Sequence, residues 1–170
     1  MKPSSNKLQK IVQELIKKYN IPGLSLAIIK NGKIGSHLEF GVKNSNYPEP
    51  VLSNTVFEAA SLSKPVVAYG ALILVKNEIF DIDKPLRDYL NTPYMGDPAY
   101  LSEVTLRHVL SHTSGFPNVN LKKGESLTLA FPPGSHFNYS GESFRYLGKV
   151  IEHLYGASLE TFYKKVFFVL

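Results

Sequence analysis

The chain has 170 residues, of which 44% are hydrophobic and 19% charged, enough to build a core and inconsistent with a disordered, collagen-like or coiled-coil chain. It has no cysteine, so disulfides, thiol nucleophiles and cysteine-based zinc sites are excluded. The formal charge of +5 comes from scattered lysines, with only Arg87, Arg107 and Arg145 as guanidinium donors, and it forms no basic stripe of the kind nucleic acid requires.

The polar start, Met1 to Lys7, is followed by no apolar signal region, so the expectation is a cytoplasmic protein. Leu8, Ile11, Val12, Leu15 and Ile16 fall at i, i+3, i+4, i+7 and i+8, one stripe of an amphipathic helix over Leu8 to Tyr19 that should pack on a sheet. Ile21-Pro22-Gly23 ends it. Leu24 to Ile29 reads as a strand, Asn31-Gly32 as a hairpin turn and Lys33 to Val42 as the antiparallel return. Two strands are marginal alone, and an exposed hairpin edge offers unpaired backbone groups for self-association. From Ser61 to Val75 apolar residues fall on nearly every side, which predicts a helix buried all round, and Pro65 places its start at about Ser61 to Lys64. Its longest apolar run, Val66 to Val75, is too short to span a bilayer. Asp81 to Leu86 reads as a turn into a short helix, Asn91 to Tyr100 as loop and Val104 to Leu110 as helix. Gly115 to Gly134 is irregular, and Gly141 to Tyr155 and Ser158 to Phe168 are two more helices. The fold class expected is α+β, a single domain made of a helix and hairpin (residues 1–55) and a mainly helical part (residues 56–170).

Ser61-Leu62-Ser63-Lys64 fits S-x-x-K, which brings a lysine onto the helix face of a serine three residues earlier. A serine hydroxyl is a weak nucleophile at neutral pH and needs a neighbouring base, and an amine held out of water can serve. A helix start adds free N–H groups suited to a developing oxyanion. The bland alternative is Ser61 as an N-cap and Lys64 as a solvated first-turn residue. A second match, Ser4 to Lys7, lies in the N-terminal tail. His37, His108, His136 and His153 have no metal-ligand spacing, so no metal and no cofactor is expected, and Asp81 and Asp83 beside Pro85 suit a turn better than acid/base work.

Several ordered segments carry a resemblance. Phe57 to Lys64, Ile79 to Pro85, Val104 to Gly115 with its Ser-His-Thr-Ser-Gly ending, and Pro133 to Ser140 resemble the penicillin-recognising serine hydrolases: class C beta-lactamases, D-alanyl-D-alanine peptidases and family VIII esterases. The resemblance implies a beta-lactamase/transpeptidase-like fold with acylated Ser61, Lys64 as its partner and Tyr139 as the phenol that shares the proton transfer. It implies that His112 lies in a structural stretch, capping or packing, and that relatives are often exported. Two departures stand out. The family's Tyr-x-Asn is here Tyr139-Ser140-Gly141, which favours a small ester over an amide such as a beta-lactam. The family's third motif, Lys-Thr-Gly or His-x-Gly, does not follow Tyr139, and Lys122-Lys123-Gly124 comes too early. The expectation is therefore the N-terminal portion of such a domain, with the C-terminal strands missing. The alternative is a non-catalytic remnant or ligand-binding module.

Overall fold

The computed structural model describes residues 5–90, 94, 100–118 and 125–167. The chain divides into two compact units, Met1–Glu58 and Ala59–Leu170.

In the first unit, helix α1 spans Ser5–Tyr19, with Lys17 and Lys18 in its last turn, where their charge suits the negative end of the helix dipole. Asn20 takes a left-handed φ of 52° just past the end, and the Ile21 N–H returns to the Ile16 carbonyl at 3.0 Å. Strands β1 (Gly23–Lys30) and β2 (Lys33–Gly41) pair antiparallel, from Gly23 opposite Gly41 to Lys30 opposite Lys33, with a bulge after Ile28. Asn31 and Gly32 join them with φ of 52° and 71°, the two positive values that a tight hairpin turn needs and that asparagine and glycine tolerate. Leu24, Leu26, Leu38 and Phe40 alternate onto one half-buried face, α1 packs against β2, and Val12 is buried.

In the second unit, a 3-10 turn at Ala60–Leu62 leads into α2 (Ser63–Lys76). Only Gly70, Ala71 and Leu74 of α2 are buried, while Val66, Tyr69 and Leu72 are 42%, 55% and 44% exposed. The expectation of a helix buried all round is thus corrected: an apolar sequence lacks the polar face that would reveal which side packs. Asp81 closes a turn by accepting the Asp83 N–H at 2.8 Å, and a 3-10 turn follows at Leu86–Tyr89. Helix α3, Leu106–Leu110, starts where Thr105 caps it: the Thr105 hydroxyl accepts the His108 N–H, and the His108 ring accepts the Thr105 N–H at 3.2 Å. Asp83 grips Arg107 with two hydrogen bonds of 2.7 and 2.9 Å, which ties this helix to the preceding turn. Helices α4 (Glu142–Tyr155) and α5 (Leu159–Phe167) complete the unit.

Its core gathers Ala71, Leu74, Leu86, Val109, Phe116, Tyr146, Ile151 and Phe162. Gly70 is where α5 approaches α2, since a Cβ there would lie 2.7 Å from Phe162 and 2.8 Å from Tyr163. The architecture is α+β, with the sheet at the N-terminal end and the helical core after it. Among the described residues no helix is long and apolar enough to cross a membrane. Ser4, Lys122 to Gly124 and most of Asn91 to Tyr100 lie outside the described residues.

Candidate active site

Ser61 sits in the turn that opens α2, preceded by Ala60 at φ 44°, a left-handed backbone that costs an alanine about 1 to 2 kcal/mol. The Lys64 ammonium, one helical step on, donates to Ser61 Oγ at 3.0 Å. Lys64 is half-buried rather than enclosed, and Ser61 is exposed. Tyr139 reaches the same point from far along the chain. Its ring lies 4.8 Å from Lys64 Nζ. Hydrogen bonds with Lys64 and then Ser61 hold its hydroxyl below the usual tyrosine value, because both favour the phenolate. The structure therefore brings Ser61, Lys64 and Tyr139 together.

The loop segment carrying Tyr139 is fixed by contacts with other loops. The Asn138 side chain donates to the Phe116 carbonyl at 3.2 Å. The buried Ser140 hydroxyl donates to the Pro117 carbonyl at 2.9 Å and accepts the Ser143 N–H at 3.0 Å, which anchors the start of α4. Glu142, fully buried, accepts from the Tyr94 hydroxyl and from Arg145 at 3.1 Å. Burial and that bond to Glu142 push the Tyr94 phenol well above its ordinary value, so it stays a donor.

His112 ends α3 in a left-handed conformation, φ 55°, and its ring packs 4.5 Å from that of Tyr139. Burial, then the Lys64 charge, hold its imidazole below the ordinary histidine value, so it is neutral near pH 7. The other histidines lie elsewhere: His108 caps α3, and His37 bonds to Ser25 at 3.0 Å on the hairpin. Asp81 and Asp83 serve the turn and Arg107.

A cleft of about 660 Å³ opens beside Ser61 between the start of α2 and α4, with Lys64, Phe144, Arg145 and Lys149 on its walls. Two of its surroundings escaped sequence reasoning. Phe144 stands 5.8 Å from Lys64 Nζ, and only its position on the first turn after Tyr139 hinted at that. Asn118 accepts the Gly141 N–H at 2.9 Å, so a carboxamide from a different loop lies against the position where the resemblance led one to look for an asparagine. No spacing in the sequence signals that contact.

The family model described as beta-lactamase matches residues 8–170. The chain is 30% identical over 191 residues to penicillin-binding protein 4* of Bacillus subtilis (strain 168), a match that covers 99% of this chain and 41% of that protein. It is 30% identical over 160 residues to a beta-lactamase of Pseudomonas fluorescens, covering 88% of this chain and 44% of that one. Among solved structures, a beta-lactamase/D-alanine carboxypeptidase from Pseudomonas syringae superposes with a TM-score of 0.76 at 25% identity, covering 95% of this chain and 47% of that one. The chain thus spans less than half the length of the relatives it matches, and over that span it has a beta-lactamase/transpeptidase-like fold. With the family model running from α1 through α5, the chain belongs to the beta-lactamase family.

Proposed function

We propose that this chain carries the acyl-transfer centre of a serine hydrolase in which Ser61 is acylated, Tyr139 takes its proton and Lys64 holds the two in place. The observation that carries this reading is the meeting of Lys64 Nζ, Ser61 Oγ and the Tyr139 hydroxyl, drawn from the start of α2 and from a loop far along the chain. Ser61 Oγ attacks the acyl carbonyl as its proton passes to the Tyr139 phenolate, the form that the hydrogen bond with Lys64 favours. The start of α2 contributes the positive end of a helix dipole where the oxyanion forms. Tyr139 then returns the proton to the leaving alkoxide; in the second half-reaction the same phenolate takes a proton from water as it attacks the acyl carbon, and passes it to Ser61 Oγ as the acyl–Oγ bond breaks. No step needs a cofactor.

The substrate favoured is a small ester over a beta-lactam. Gly141 offers no side-chain amide, and the Asn118 oxygen that lies against it is already engaged by the Gly141 N–H. An activated ester, with a good leaving group, asks less of such a site than an amide does. The test compares hydrolysis of p-nitrophenyl butyrate and nitrocefin by the intact protein and its Ser61→Ala variant. Loss of ester turnover by about 10⁴-fold or more is expected in the variant, with nitrocefin the poorer substrate. Retention of most of the activity by Ser61→Ala would sink the reading. Reversible ester binding with no acyl adduct on Ser61 would leave a ligand-binding module in its place.

A further inference from the structure

We propose that His112 is the positioning residue for Tyr139: its neutral imidazole and its own carbonyl clamp the chain on both sides of the phenol and set the ring against Lys64. The inference rests on the reading of Ser61 and Tyr139 given above. Two hydrogen bonds carry it. The His112 carbonyl accepts the N–H of Asn138 at 2.8 Å, and His112 Nδ1 accepts the N–H of Ser140 at 3.2 Å. Both sequence neighbours of Tyr139 are therefore tied to one residue. Between those ties the two rings face each other, centroids 4.5 Å apart and 36° from parallel, so Tyr139 has a wall against which its ring settles. Phe144 at 5.4 Å and Phe137 at 6.0 Å, edge-on, pack around the imidazole and limit its rotation. The left-handed backbone at His112 lets one residue present carbonyl and ring to the same segment, and the bond of 2.8 Å from the Thr113 N–H to the His108 carbonyl closes the helix just before it.

The chemistry of the clamp fixes the protonation state it needs. A backbone N–H can only donate, so Nδ1 must keep its lone pair and the neutral ring carries its proton on Nε2. Protonation would set N–H against N–H at Ser140 and place a second cation beside Lys64. Among the described residues, few groups face the imidazole. Helix α2 presents Lys64, the segment before α4 presents Tyr139, Phe137 and the Ser140 amide, and α4 presents Phe144; of these Lys64 and Tyr139 carry or exchange charge. Because folding lowers the His112 pKa, the clamp is complete above the ordinary histidine value of about 6.5 and is lost as pH falls through the lower folded value.

The experiment follows covalent labelling of Ser61 by a fluorophosphonate probe in the intact protein, from about pH 5 to pH 8, alongside thermal melting. His112→Phe keeps a ring but has no acceptor. His112→Asn places a carboxamide oxygen near the Nδ1 position and does not titrate. The wild type is expected to label more slowly in acid. His112→Phe is expected to label about tenfold to a hundredfold more slowly at neutral pH, the scale of a misplaced catalytic group. His112→Asn is expected to recover most of the neutral rate and to lose the acid limb. If His112→Phe labels at the wild-type rate with the wild-type pH profile, the proposal is overturned. Where His112→Phe does not fold, an acid limb unchanged in His112→Asn overturns it equally. Labelling that persists in Ser61→Ala marks a different failure, that of Ser61 as the nucleophile.

Discussion

Among the described residues of Met1–Glu58 only Val12 and Val51 are buried, whereas Ala59–Leu170 closes over a core in which Leu86, Val104, Leu106, Val109, Phe116 and Tyr146 are fully enclosed. The first unit is held by local pairing, with a two-residue turn and a strand returning on its neighbour. The second is held by contacts between segments distant in sequence, and the candidate site belongs to this one. That contrast teaches where substitutions should hurt. Removing buried volume from the second unit should cost both stability and site geometry, and altering the outer residues of the hairpin should cost little of either.

The largest stability effect is expected from Phe116→Ala. Phe116 is fully buried and stacks on Tyr146 with centroids 5.6 Å apart, so its loss should cost about 3 to 5 kcal/mol of unfolding free energy in a denaturant titration. Its backbone carbonyl also receives the Asn138 side chain, next to Tyr139, so labelling of Ser61 should slow together with the loss of stability. A cost below about 1 kcal/mol would mean that the two units differ less in packing than the burial pattern says.

The sequence made these two units legible to different degrees. Asn31-Gly32 fixed the hairpin, because both residues tolerate positive φ and the turn length then sets the register. Thr105 announced the start of α3 only once its bonds to His108 were seen: the sequence expectation began at Val104 and the helix begins at Leu106. Ser61 and Lys64 could be paired from spacing, since three residues make nearly one turn. Tyr139 could not. It came to notice through resemblance, because what delivers it is a set of loop bonds from His112, Phe116 and Pro117 to residues 138–140, and loop bonds leave no periodicity. The packing side of α2 was illegible for a related reason, since a run such as Val66 to Val75 records hydrophobicity and not which neighbours cover it.

A smaller and more local effect separates the site from the core beneath it. Lys64→Met removes the donor that most favours the Tyr139 phenolate, so the Tyr139 pKa should rise toward the ordinary value of about 10. The phenolate is the base in the proposed reaction, so the alkaline rise in Ser61 labelling should move to higher pH with it. Ultraviolet titration of phenolate absorption, compared with a Tyr139→Phe control, reads the shift directly. The methionine stem fills much of the space of the lysine stem, so unfolding free energy should change by less than in Phe116→Ala. A Tyr139 titration that Lys64→Met leaves in place would remove Lys64 from its role.

The smallest effect is expected on the hairpin. Ile29 and Ile34 face each other across the register, and they are 70% and 73% exposed. Their burial contributes little to folding, so Ile34→Thr should change unfolding free energy by no more than about 0.5 kcal/mol, the usual range for a surface position. Threonine also keeps the β-branch that suits a strand, so pairing with β1 should survive. What should change is association. Among the described residues the sheet has two strands, each with an outer edge, and an apolar pair beside such an edge favours docking between copies. Sedimentation over a range of protein concentrations should therefore show less self-association for Ile34→Thr than for the wild type, with ester turnover per Ser61 the same in both. A cost well above 1 kcal/mol would show that something covers this face in the intact protein, and the contrast between a locally paired unit and a packed one would have to be redrawn with the hairpin as part of a larger core.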